Sequence, residues 1–130
     1  HLNINIDLFL IFLTFLCLLK NDLYLIIFYA FLIGLLQDFI INIGIIGSLS
    51  FLKSLSAYII GLLNNRNRLW SRRMKIIFIY VVYFFHFMIY YYILINNDFI
   101  LIILLSLFQS LSTLILFYLV EKIFYKSELL

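Results

Sequence analysis

Four ionisable side chains stand inside long apolar runs of this chain: Asp7, Asp38, Lys53 and His86. Charged groups in such surroundings are costly unless they pair, bind backbone or line water, so each marks a candidate site. Asp7, Asp38 and Lys53 offer the chemistry of a buried ion pair. His86, set among Tyr83, Phe84, Phe87 and Tyr90, relays protons only if titratable neighbours form a chain; alone it reads as a hydrogen-bonded interior residue. Other chemistry lacks its parts: there is no His-Glu zinc helix, no nucleophile with a base and no glycine-rich phosphate loop, and the acids number six in all. Cys17 is the single cysteine, which leaves neither a disulfide framework nor a thiolate metal site. The reading is of a protein that is not an enzyme and needs no cofactor and no metal.

The elements that must position these residues follow from composition. The chain is 67% hydrophobic and 12% charged, and five of its nine cations, Arg66, Arg68, Arg72, Arg73 and Lys75, fall in one short stretch. Crossing about 30 Å of hydrocarbon at about 1.5 Å per residue takes about 20 apolar residues. Five segments approach or reach that length: Ile4 to Leu19, Leu23 to Ile41, Gly47 to Leu63, Met74 to Ile95 and Phe99 to Val120. Long apolar runs without strand alternation mean helices rather than a barrel, because backbone in lipid must satisfy its own hydrogen bonds. The expected fold is all-α: one polytopic membrane bundle over residues 1–130.

The basic stretch, placed on the cytoplasmic side, sets the orientation. Lys20, Lys122 and Lys126 then fall inside as well, and only Lys53 disagrees. The C-terminus is cytoplasmic in this topology, and the first of the five spans begins outside. Since the sequence opens at His1, a further N-terminal helix is expected, making six, with a cleaved signal peptide as the competing explanation. The pI near 9.0 needs no nucleic-acid partner, because topology accounts for the cations.

Helix counting gives depths. Asp38 lies about 23 Å along its helix, Lys53 about 9 Å below the outer boundary, and Asp7 about 7 Å in. Either the three form a polar cluster near the outer face, or Lys53 snorkels and each Asp sits at a thinned bilayer edge. Gly47, Ser50, Ser54, Ala57 and Gly61 recur every three or four residues, a stripe of small side chains suited to close helix packing, inside the bundle or against a partner. Ser106, Gln109, Ser110 and Thr113 draw a second stripe, expected to hydrogen-bond across helices. Tyr90, Tyr91, Tyr92 and Trp70 read as interfacial anchors. The basic loop reads as topogenic and lipid-facing, with a cytoplasmic partner such as a filament as the alternative.

The segment from Gly34 to Gly61, GLLQDFIINIGIIGSLSFLKSLSAYIIG, resembles the MreD family, the small membrane subunit of the bacterial rod (elongation) complex. The resemblance rests on a Gly-x-x-x-Asp helix end at Gly34 and Asp38, a glycine-bearing turn, and a following helix rich in small residues. Asp7 matches the family's Pro-Asp entry, with Ile6 in place of the proline, and Asn42 stands where a glycine is common. The resemblance implies a scaffold in the cytoplasmic (inner) membrane that supports lateral peptidoglycan synthesis and cell shape. Its implied partners are an MreC-like protein, the membrane glycosyltransferase, the class B penicillin-binding transpeptidase and, on the cytoplasmic side, the MreB filament. The family is similar in helix layout to the substrate-binding components of energy-coupling-factor transporters, so a vitamin-type transport subunit is the alternative. An accessory subunit of a respiratory complex is a third class, favoured by hydrophobicity alone.

Overall fold

The structure, a computed structural model, describes residues 7–41, 45–65, 69–95 and 97–124. They form five helices: α1 (Leu8–Leu19), α2 (Leu23–Ile41), α3 (Ser48–Asn65), α4 (Arg72–Leu94) and α5 (Phe99–Phe124). There is no strand among the described residues. Three helices, α2, α4 and α5, are long and apolar enough to cross a membrane. α1 is described over 12 residues, and α3 carries Lys53 and four serines.

Local chemistry sets the helix starts. The Asp7 carboxylate accepts from the Leu10 backbone N–H at 3.1 Å and so caps α1. Asp7 is therefore the residue before α1 rather than one inside a helix that starts at Ile4. Ser71 Oγ caps α4 by accepting from the Met74 N–H at 3.4 Å, which begins the helix at Arg72. Arg72, Arg73 and Lys75 thus belong to the first turns of α4 and not to a loop, and Lys75 is buried. Arg66 and Arg68 lie outside the described residues. Gly47, expected to open the third helix, instead precedes it with φ of 97°, a conformation side chains other than glycine's rarely adopt.

Packing is tightest between α2 and α3. α2 buries only Ile26, Ala30, Gly34 and Asp38, one residue every four, so a single narrow face meets the bundle. Gly34 makes the approach possible: a Cβ there would stand 2.7 Å from the Ser50 backbone nitrogen and 2.8 Å from the Leu49 carbonyl oxygen. Gly61 lies against Leu23, so α2 and α3 run antiparallel. α1 packs on α3, and α5 on α4. Tyr83, Phe117, Leu10, Leu13 and Ile79 fill the centre, with the Phe15 and Phe117 rings 4.8 Å apart.

The outside is as apolar as the inside. Tyr24, Phe28, Phe39 and Ile40 on α2 and Ile100, Leu104, Phe108 and Ile115 on α5 are exposed. Apolar area this continuous is untenable in water and natural against hydrocarbon.

Candidate functional site: a buried polar cluster

Lys53 is completely buried, and its Nζ lies 2.5 Å from Asp7 Oδ2. The ammonium was brought inside on α3 and meets the carboxylate that caps α1, so one side chain both starts a helix and balances a charge. Removing ions from water is repaid only when geometry is close and the remaining valences are filled. Asp7 meets that condition through the Leu10 N–H on one oxygen and Lys53 on the other.

Asp38 has a different role from the one expected. It accepts from the backbone N–H groups of Gly47 at 3.0 Å, Leu49 at 3.1 Å and Ser50 at 3.2 Å, and from the Ser50 hydroxyl at 3.1 Å. The Ser48 hydroxyl adds a longer contact of 3.4 Å. These are the unsatisfied donors of a helix start, at the positive end of its dipole, and α2 supplies the cap across the turn. Lys53 consequently pairs with Asp7 and not with Asp38, which acts on it only through space. The reason is the Gly34 contact, which presses α2 onto the beginning of α3 and delivers the carboxylate to its amides.

His86 belongs to the same cluster. Its Nε2 lies 3.8 Å from Asp7 Oδ2, and its Nδ1 lies 3.1 Å from Ser56 Oγ. Sequence reading set His86 apart as deep and alone. The signal was there: His86 is eight residues, about 12 Å, from the C-terminal end of α4, against about 8 Å for Lys53 from the start of α3. Thr14 and Tyr83, whose hydroxyls are 2.6 Å apart, join α1 to α4 one layer further in, and Thr14 was not singled out.

The small-residue stripe is divided. Ser50, Ala57 and Gly61 are buried, whereas Gly47 and Ser54 border an open groove of about 490 Å³ with Tyr24, Phe28 and Phe31. The stripe on α5 is buried, and its hydroxyls donate within the helix rather than across it: Ser106, Ser110 and Thr113 donate to the Ile103, Leu107 and Gln109 carbonyls of α5 itself. Among the tyrosines, Tyr92 is exposed but Tyr91 is core, which removes it from the interfacial set. Trp70 packs edge-on to Phe78 at 5.5 Å.

Ser56, His86 and Asp7 stand in the order of a nucleophile, a base and its orienting acid. Ser56 lies in mid-helix, where backbone N–H groups are committed to carbonyls one turn back, so the paired amides that would stabilise an oxyanion are not on offer. No group of three or more His, Cys, Asp or Glu converges for a metal among the described residues. Beside the pair lies a cavity of about 300 Å³ between α3 and α4, apolar apart from Ser56 and His86.

The geometry defines a class: a helical bundle with an apolar exterior that buries Asp7, Asp38, Lys53, Lys75 and Glu121 among its helices. No family model, no curated protein and no solved structure matches the chain.

Proposed function

We propose that this chain is a membrane scaffold subunit of the bacterial rod complex, as its resemblance to MreD implies. In this reading all five helices cross the cytoplasmic membrane, the C-terminus is cytoplasmic, and helix faces hold an MreC-like protein, a glycosyltransferase and a class B transpeptidase together. The MreB filament is the candidate partner of the basic inner end.

The observation that carries the proposal is the joint built by Gly34 and Asp38, the two residues of the Gly-x-x-x-Asp match. One permits the closest helix approach and the other caps the next helix, so the motif works as a structural clasp. The Asp7–Lys53 pair is likewise spent on holding helices together, which leaves broad apolar faces for neighbours. Copurification from native membranes tests this directly: wall-synthesis proteins are expected with the tagged chain, and their absence would end the proposal. Depletion should round rod-shaped cells. A reporter fused after Trp70 should read as cytoplasmic.

The alternative, a substrate-binding subunit of a vitamin-type transporter, requires a pocket suited to a water-soluble molecule. The α3/α4 cavity has only Ser56 and His86 to offer such a ligand, which favours the scaffold.

A further inference from the structure

The Ser56–His86 pair has a hydrogen-bonding valence left over, and it borders the α3/α4 cavity. The Ser56 hydroxyl has one proton and two acceptors in reach, the Leu52 carbonyl at 2.8 Å and His86 Nδ1 at 3.1 Å. An unprotonated Nε2 would aim its lone pair at the Asp7 carboxylate 3.8 Å away, whereas an Nε2–H presents a donor to it. That tautomer makes Nδ1 an acceptor, so Ser56 shares its proton between the Leu52 carbonyl and the imidazole. What remains on Ser56 is an oxygen lone pair, made more basic by the proton it shares with His86. The Leu52 carbonyl keeps its ordinary helix bond, so nothing is stranded.

We propose that this cavity binds a lipid-soluble alcohol or phenol, whose hydroxyl donates to Ser56 Oγ and whose apolar body lies among Ile59, Phe78, Val81 and Phe85. The cavity of about 300 Å³ equals the volume of about ten waters, room for a fused ring or a short branched chain. Water itself is a poor occupant, because it needs two to four polar partners and these walls supply one pair. A ligand with one donor and otherwise only carbon and hydrogen matches the lining on both counts. This site is independent of the scaffold proposal: copurification can fail while binding here succeeds, and the reverse.

The test uses the full chain in phosphatidylcholine vesicles, with a bromonaphthol and its methyl ether as probes. The ether lacks the hydroxyl donor and is otherwise the same ring carrying one added methyl. Trp70 is the only tryptophan of the chain, and its ring lies 5.5 Å from Phe78 of the cavity wall, so bromine quenching of its fluorescence reports occupancy. The native chain should show saturable quenching, with the naphthol binding about fivefold tighter than the ether, the worth of one neutral hydrogen bond. Ser56→Ala should bring the two probes to parity, and Val81→Phe should abolish saturable quenching by both. Equal affinities on the native chain, which need no variant to interpret, would overturn the proposal. So would a naphthol preference that survives Ser56→Ala, quenching that survives Val81→Phe, or quenching that never saturates.

Discussion

Replacing Lys53 with methionine keeps most of the side-chain volume and deletes the charge. Asp7, buried and facing the vacated position, is then an uncompensated carboxylate in low dielectric. Breaking a buried pair in this way costs about 3–5 kcal/mol, far more than the same pair contributes over a hydrophobic replacement. The excess should vanish when the charge on Asp7 goes too. Asp7→Asn is the suitable partner substitution, because asparagine still accepts from the Leu10 N–H and so preserves the cap of α1. Equilibrium unfolding of the purified chain in mixed micelles should show Lys53→Met destabilised by about 3–5 kcal/mol. The double variant Asp7→Asn/Lys53→Met should return to within about 1.5 kcal/mol of the native chain. A double variant as unstable as the single one would refute the reasoning, since the loss would then come from packing at Lys53 and not from a stranded charge.

Other perturbations separate the remaining contacts. Asp38→Ala should fray the first turn of α3, costing about 1–3 kcal/mol and raising hydrogen exchange at Leu49 and Ser50, with the rest of α3 protected. Gly34→Ala places a methyl against the α3 backbone and should cost about 1–3 kcal/mol in the same unfolding assay. Gly61→Ala meets only the end of the Leu23 side chain, which can rotate away, so its cost should be clearly smaller. Gly47→Ala has open space around it and should still destabilise by about 1–2 kcal/mol, because φ of 97° strains any residue with a Cβ. Stability unchanged in Gly47→Ala would mean that the turn relaxes.

Helices were legible in the residues because lipid-facing backbone has one open-ended solution and the polar links interrupt it at visible places. The bounds of α2 follow from its apolar run alone, since Asp22 precedes Leu23 and the run ends at Ile41, before Asn42. Apolar runs do not show capping, however, and so α1 and α4 begin where Asp7 and Ser71 accept backbone protons. That three charged residues near one end of the chain's helices would need partners was also legible, from the cost of leaving charge in hydrocarbon.

Which charge meets which was decided by tertiary structure. Depth along a helix is linear and can be counted, but pairing depends on the rotation of each helix about its axis and on how closely two axes approach. A glycine at position 34 lets α2 fall onto the start of α3, and Asp38 is drawn to free amides there. Lys53 is left to Asp7, and His86 is carried beside the same carboxylate by α4. A one-residue change in helix rotation turns a side chain by about 100°, so a one-dimensional pattern could place these groups at one level without saying which of them touch.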